Sequence, residues 1–415
     1  SDADINALVV AVSGSGVFAG NGAISLNWIR KDIDAHISGD STVTITQNID
    51  ILAQDLSDIR SIAGQISGSG LVAIGGAVSY NEIANNISAY IDGGNTNVTS
   101  TSGSITISAT SEATIFTIAA GIAGSGIAAI AGSGSVNLIA NDVVAHITGA
   151  TVTAVDNLYL LAESDDTVKV FVGTISVAGV AGVGGSVVIN SLTNQTRAYI
   201  DGDATVVAKG VGSSVIIKDW ADDAEGTEST EPISGLAVVA SAEEEVFVIA
   251  VAGGAAGAVG IGANVVVNRV NGTTEAFIRD SRINNSSNRG KAVKVKAHSD
   301  TNIFSLGGAL GIGLSIGGFG AAVDTNFVDN ITRAYIADDD SATDLDPIFA
   351  GDGVEVSALS REGFATTAIG IGAGLFQGVA GAASAIKSDS TTEAFIRNAD
   401  VDAIMNIEVD ADSAV

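Results

Sequence analysis

The chain has 415 residues, of which 47 are acidic, 18 are basic and none is cysteine, giving a formal net charge of −29. This charge disfavours nucleic acid and anionic membrane surfaces, whose phosphates would be repelled, and the lack of cysteine excludes disulfides and thiol chemistry. The 51 glycines and 46% hydrophobic residues, with only 5% aromatic residues, favour thin, flat layers over a compact core.

One tripeptide, Ala-[Tyr/His/Phe]-Ile, returns along the whole chain. It begins at Ala35, Ala89, Ala145, Ala198, Ala276, Ala334 and Ala394. Self-similarity at a near-constant period is the signature of a repeat architecture. We interpret residues 1–415 as a single array of seven units of about 54 residues, near 1–53, 54–109, 110–162, 163–240, 241–297, 298–358 and 359–415.

Each unit has a part of fixed length and a part of variable length. A second marker, an alanine that ends a short strand, lies at Ala53, Ala109, Ala162, Ala240, Ala297 and Ala358. From this alanine to the next tripeptide there are 36 residues in five copies and 37 in one, whereas the return varies from 17 to 42. Insertions are tolerated in one part only, which is typical of a packed stack with loops on one edge.

Within the fixed part, glycines recur at two places in the register. The first set lies at one constant offset from the marker (Gly16, Gly70, Gly126, Gly179, Gly257), and the second lies six positions further along the unit (Gly22, Gly76, Gly132, Gly185, Gly381). Glycine at fixed register in strands predicts bends or close backbone approach between layers. Further along, Val136–Ile139 and Val143–Ile147 flank an Asx turn signal, and Thr151–Ala154 with Leu158–Ala162 indicate a shorter strand pair.

These patterns predict an all-β, elongated β-solenoid with period-2 strands of four to eight residues. A coil of about 18–27 residues would place two or three coils in each unit, and the array would span very roughly 70–100 Å. A competing geometry builds wide stacked sheets from long hairpins. Residues 113–141 and 246–268 lack charge but are rich in glycine, so we expect strands and no membrane span.

An asparagine recurs at the same register in six of the units, within an apolar strand. The members are Asn27, Asn81, Asn137, Asn190, Asn268 and Asn326. A buried amide needs partners, and stacked copies can supply them, so we favour a structural ladder over ligand contact. His36 and His146 alternate with tyrosine and phenylalanine in the tripeptide, which favours packing over metal binding or catalysis.

Acidic residues gather in the turns after the tripeptide. Those considered as a calcium site are Asp92, Asp201, Asp203, Asp338 and Asp339. Oxygen-rich turns at a solenoid edge can hold Ca²⁺. Solvated turns that keep a glycine-rich surface soluble are the commoner explanation for such residues.

Residues 209–234 interrupt the repeat as a long acidic loop insertion. One interpretation is a binding loop formed by Trp220, Asp222, Asp223 and Glu225; the other is a mobile decoration. The acids of this loop lack an obvious partnering Lys or Arg cluster in the sequence, which argues against a catalytic site there.

The two termini fall at nearly the same phase of the repeat. Exposed edges of a stack are templates for further pairing. We therefore expect either that the chain is a window of a longer array or that copies stack end to end into a fibre.

The repeat resembles the β-strand repeats of very large bacterial surface adhesins of the filamentous-haemagglutinin-like kind. The matching segments include Ala198-Tyr199-Ile200-Asp201-Gly202 and Gly185-Ser186-Val187-Val188-Ile189-Asn190. The resemblance implies a secreted, cell-surface structural or adhesive filament, not an enzyme, that contacts a host, cell-surface or carbohydrate ligand. The alternatives left open are a calcium-stabilised carbohydrate-binding module and a β-helix enzyme that degrades polysaccharide.

Overall fold

The computed structural model describes residues 1–220, 228–339 and 346–415. Within these ranges the regular structure consists of β-strands, without a helix. Three sheets of parallel strands run the length of the molecule, and a two-stranded antiparallel hairpin is attached to them. The predicted all-β solenoid is confirmed. Asp222, Asp223 and Glu225, considered above as part of a binding loop, lie outside the described residues.

The first sheet, sheet A, contains one long strand from each coil. Its strands are β1 (Asp2–Ser15), β4 (Ile49–Ser69), β7 (Ile105–Ser125), β11 (Leu158–Ala178), β16 (Gly235–Ala256), β19 (Ala292–Gly313), β23 (Val354–Gly374) and the short β27 (Ile407–Ala414). Neighbours in this order are hydrogen-bonded in parallel register.

Sheet B faces sheet A and takes the next stretch of each coil, as one long strand or two consecutive ones. Its strands are β2 (Phe18–Ile37), β5 (Val72–Asp92), β8 (Ala128–Ile139) with β9 (Asp142–Thr148), β12 (Ala181–Asp201), β17 (Val259–Arg279), β20 (Gly317–Val328) with β21 (Ile331–Ala337), and β24 (Gln377–Ser388) with β25 (Thr391–Arg397).

Sheet C closes each coil with a short strand. Its members are β3 (Thr42–Ile45), β6 (Asn97–Ser100), β10 (Thr151–Ala154), β13 (Ala204–Ala208), β18 (Ser281–Ile283), β22 (Ile348–Ala350) and β26 (Val401–Ala403). The antiparallel hairpin is formed by β14 (Val215–Trp220) and β15 (Glu228–Ile233), within the insertion of the fourth unit.

One repeat unit makes one coil, not two or three. Ala109, for example, pairs with Ala53 in the preceding unit and with Ala162 in the following one. The long strands β4 and β5 each have 21 residues, not four to eight. At about 4.8 Å between strands, the stack is about 35 Å along its axis, whereas a strand of this length extends about 70 Å. The expected axial span of 70–100 Å is therefore wrong, because the chain extends along the strands.

The fixed part of the unit corresponds to sheet A, the turn and sheet B. Ala53 and Ala89 both belong to the core beside sheet C, on opposite strands. Any insertion between them would shift the strands out of register with every other coil, so length is conserved within this part. The exception is the sixth coil, whose extra residue lies in the turn between Gly313 and Gly317.

The turn that joins sheet A to sheet B, here called the arch, accounts for the first glycine register. A Cβ added at Gly126 would overlap the carbonyl oxygen of Gly70 in the preceding coil, and Gly179 meets Gly126 in the same way. The backbones of successive arches are therefore in direct contact, as a hydrogen bond from Gly126 to the Ser69 carbonyl also indicates. The predicted close approach is confirmed at this register.

The interior changes character along the strands. Beside sheet C it is aliphatic, with Ile91, Ile107 and Val152 fully buried between three sheets. A second aliphatic cluster, around Ile59 and Ile83, lies further out between sheets A and B. Toward the arches, alanine, glycine and serine replace these larger side chains, so the two sheets approach each other closely.

Candidate functional site

The six recurring asparagines of sheet B form a continuous hydrogen-bonded chain inside the molecule. Each side-chain amide donates to the carbonyl oxygen of the next asparagine, at 2.7 to 2.8 Å between heavy atoms, through Asn27, Asn81, Asn137, Asn190, Asn268 and Asn326. These side chains are buried. Because each amide is satisfied by the neighbouring coil, the row holds adjacent coils in register.

Hydroxyl groups from sheet A complete this ladder. Asn81 also donates to the Thr117 hydroxyl, and Thr117 donates to the Asn137 carbonyl oxygen, both at 2.8 Å. In the seventh coil the aligned residue is Ile386, which pairs with Asn326 through the backbone. The asparagines thus contact one another and residues of the core, which is a structural arrangement.

A second asparagine row, which the sequence interpretation missed, lies four positions further along sheet B. Its side-chain oxygens accept hydrogen bonds from backbone N–H groups of the preceding coil, as Asn141 does from Asn85 and Asn194 from Asn141, both at 3.1 Å. Asn330 accepts from Gly272 in the same way, at 2.8 Å. The signal was present: an asparagine follows four of the ladder asparagines at a spacing of four.

Carboxyl groups of sheet A face this second row from inside the core. Asp166 accepts hydrogen bonds from Asn141 at 3.0 Å and from Asn194 at 2.6 Å. Burial raises the pKa of Asp166 well above its ordinary value, and burial raises the pKa of Glu244 to about 7. Asp55 accepts a hydrogen bond from Asn85 at 2.7 Å and, in addition, contacts the Lys31 ammonium at 2.7 Å. These groups lie enclosed between strands rather than in a cleft.

The aromatic residue of the tripeptide forms a ladder on the outer face of sheet B. Its rings stack at 4.7 to 5.0 Å between centroids with interplanar angles of 1 to 9°, through His36, Tyr90, His146, Tyr199, Phe277, Tyr335 and Phe395. The packing role expected for the histidines is consistent with this geometry. Burial lowers the pKa of His146 to about 4, so its ring is neutral at physiological pH.

Charged rows flank the aromatic ladder and pair along the stack axis. Arg333 lies between Glu275 and Glu393 of the neighbouring coils. Asp201, a candidate calcium ligand, forms an ion pair with Arg279, and Asp339 pairs with Arg397 at 2.8 Å. The two candidate carboxylates therefore neutralise arginines of the following coils.

The other three candidate calcium ligands occupy separate turns. The Asp92 carbonyl accepts from the Thr96 hydroxyl, and Asp203 adopts a left-handed turn with φ of 59°. The Asp338 carboxylate accepts from the Asp346 backbone N–H at 3.1 Å. Among the described ranges, no three acidic or histidine side chains come together in a group that could hold a metal ion.

The described part of the insertion is a hairpin packed on the outer face of sheet A. Ile217 and Ile233 are buried against Tyr159, Ala237 and Val239 of β11 and β16. These apolar side chains belong to the coils on either side of the insertion, which explains why its hairpin docks here. The described strands of this loop insertion are thus anchored to the stack.

The expectation that the acids of the insertion lack basic partners is wrong for Asp219 and Glu231, which lie among the described residues. Lys296 of β19 contacts Asp219, Glu231 and Glu355 at 2.7 to 2.8 Å, and Lys294 contacts Glu231 and Glu355 at 2.6 to 2.7 Å. Burial disfavours the charged ammonium, but the surrounding carboxylates raise the pKa of Lys296 above its ordinary value. Sequence reasoning missed this cluster because its lysines and carboxylates belong to different units and meet only when the coils stack.

Trp220, the lone tryptophan of the insertion, stacks on His298 with 4.2 Å between ring centroids and an interplanar angle of 7°. His298 is buried, and burial lowers its pKa to about 3. The tryptophan is therefore held by the scaffold at one end of the hairpin. Beside it, an acidic surface is formed by Glu408, Asp410 and Asp412.

Comparisons with known proteins gave no match to a family model, to a curated protein or to a solved structure. Within the described part of the chain, no helix has the length and apolar character needed to cross a membrane. The two uncharged stretches noted in the sequence, residues 113–141 and 246–268, lie mostly in strands β7, β8, β16 and β17.

Proposed function

We propose that this chain is a structural and adhesive repeat segment that builds a rod or filament at the bacterial cell surface. The observation that carries the proposal is the unbroken parallel stacking of seven similar coils, each completed by ladders that only a neighbouring coil can satisfy. The adhesin-like pattern of the repeat supports the same function. The catalytic and calcium-dependent alternatives have no comparable support.

The first and last strands of sheet A, β1 and β27, have backbone N–H and C=O groups that a further coil could pair with. Ser1 and Asn406 accept hydrogen bonds from the neighbouring coils through their carbonyl oxygens. Since alternate residues of a strand point their N–H and C=O groups to opposite sides, Asp4 in β1 and Val409 in β27 face the open edges. A further coil, from the same polypeptide or from a second copy, would continue the register there.

The test is electron microscopy of the purified chain over a range of concentrations, with a Val409→Pro variant. We expect rods that lengthen with concentration, and we expect Val409→Pro to shorten them, because proline removes a donor at the open edge. Val409→Ala, which loses side-chain volume but keeps the N–H, is the control. Compact single particles at every concentration would overturn the proposal that this chain forms filaments by itself.

A further inference from the structure

In sheets A and B, the inward-facing and outward-facing side chains change character toward the arches. Near sheet C, aliphatic residues point inward; near the arches, inward positions hold small or polar residues such as Gln65, Ser67 and Ser79. The outward positions there are apolar, as Ile66 and Ile74 illustrate with 48% and 40% exposure. We call this part the tip half. In the first coil it runs from Leu8 to the arch in sheet A and from the arch to Leu26 in sheet B, and it includes the aligned residues of the other coils.

The outer face of sheet A has no charged side chains in the tip half. One row along the stack consists of Leu8, Ile62, Ile118, Phe171, Ile249, Leu306 and Thr367. Six of these seven side chains are large and apolar, whereas the next row toward the arch includes Gly64, Gly173 and Gly308, so the first row forms a ridge above it. Charged residues begin one row further from the arch, with Arg60 and Lys169.

The outer face of sheet B is apolar in the same way but contains a groove. The second glycine register forms one row along the stack: Gly22, Gly76, Gly132, Gly185, Ala263, Ala321 and Gly381. Larger side chains flank this row on both sides, with Ile74 and Ile130 toward the arch and Val78 and Val187 away from it. The groove therefore runs parallel to the stack axis.

Packing inside the molecule does not explain why these positions are glycine. A Cβ added at Gly132, Gly185 or Gly381 would meet nothing within 4 Å, and one at Gly76 would make only ordinary contact at 3.9 Å. By contrast, at the inward-facing Gly121 it would come within 2.8 Å of a backbone oxygen. Glycine in a strand is destabilising, and a repeated register of it marks close approach by another chain.

We infer that the tip half binds a second copy of this chain, with the sheet A ridge of one copy seated in the sheet B glycine groove of the other. The ridge and the groove both follow the stack axis with the same spacing between coils, so they match over the whole stack. This lateral contact is separate from the axial stacking proposed above.

The size of the surface and its lack of exposed charged side chains favour this occupant. Each face extends about 26 Å along the strands and about 29 Å along the stack, so a contact covers roughly 800 Å² on each copy, the contribution of one partner to a standard stable interface. The only acidic or basic residue of the tip half is Asp324, which is buried and faces inward, so the contact places no charged side chain of one copy against the other.

A groove-filling variant tests the contact. In the Val409→Pro background, in which we expect axial stacking to be weakened, the chain should associate with rising concentration in sedimentation velocity. The triple variant Gly76→Val, Gly132→Val and Gly185→Val should sediment as a single chain, with an unchanged or higher melting temperature because a Cβ at these positions makes no close contact and valine favours strands. A second triple variant, Ser88→Val, Thr106→Val and Thr110→Val, adds valine outside the tip half and should associate like the parent.

Three results would overturn the inference. One is a Val409→Pro parent that stays a single chain at all concentrations, which would leave the axial proposal intact. The second is undiminished association of the glycine variant, which would indicate general apolar adhesion rather than a ridge in a groove. The third is equal flotation of parent and glycine variant with phosphatidylcholine vesicles, without self-association, which would make the tip half a lipid-binding surface.

Discussion

At the scale of single residues, the buried asparagines of sheet B hold each coil in register with the next through hydrogen bonds. Asn137 receives hydrogen bonds from Asn81 and Thr117 and donates to Ser135 and Asn190. We expect Asn137→Ala to lower the free energy of unfolding by about 3 kcal/mol, because buried partners on both sides lose their hydrogen bonds. Chemical denaturation measures this loss. Asn86→Ala, on the exposed face of sheet B, should change stability by less than about 0.5 kcal/mol; equal effects would contradict the ladder's role.

The buried Glu244 makes stability depend on pH. Burial raises its pKa from 4.5 to about 7, so the folded state holds this proton more tightly than the unfolded state does. Its contribution is complete below pH 4.5 and is lost as the pH rises through about 7. At pH 8, Glu244→Gln should therefore be more stable than the parent, by about 3 kcal/mol relative to their difference at pH 4. Denaturation at both pH values measures this, and a profile for Glu244→Gln that runs parallel to that of the parent would contradict the argument.

At the scale of elements, Lys296 is the most enclosed of the ammonium groups that pair the hairpin with sheet A. Lys296→Met would leave Asp219 without its ammonium partner and only Lys294 beside Glu231 and Glu355. We expect amide hydrogen exchange in β14 and β15 to accelerate at least tenfold while exchange in sheets A and B stays unchanged, because the hairpin lies outside the three sheets. Lys169→Met, which removes an exposed pair with Glu245, is the control; unchanged exchange in the hairpin would show that its remaining contacts hold it without Lys296.

The repeat register could be predicted from sequence, but the length of the elements could not. The aligned tripeptides and asparagines identify which residues of successive units become neighbours, because parallel stacking preserves spacing. The strands were predicted too short because Ala, Gly and Ser inside the tip half blur the alternation that defines a strand. The turn signal at Asn141 predicted a break between two strands, but not that Asn141 would belong to a second hydrogen-bonded row. The Lys296 cluster could not be predicted, because its residues are distant in sequence.

At the scale of the whole molecule, one coil per repeat produces a flat body with two long faces, an aromatic ladder on one of them and a hairpin on the other. This geometry exposes the charge-free tip half on both faces, as the proposed contact between copies requires. The proposed filament and its lateral contact both depend on coils that follow one another at a single strand spacing.

That spacing can be measured directly, since the chain lacks cysteine and accepts two specific spin labels. Asn86 and Thr391 lie on the same outer row of sheet B, in the second and seventh coils. Double electron–electron resonance on the Asn86→Cys, Thr391→Cys variant, diluted with unlabelled chain, should give a backbone separation of about 24 Å, five strand spacings. A separation of about 48 Å or more would mean at least two coils per unit and would contradict the account.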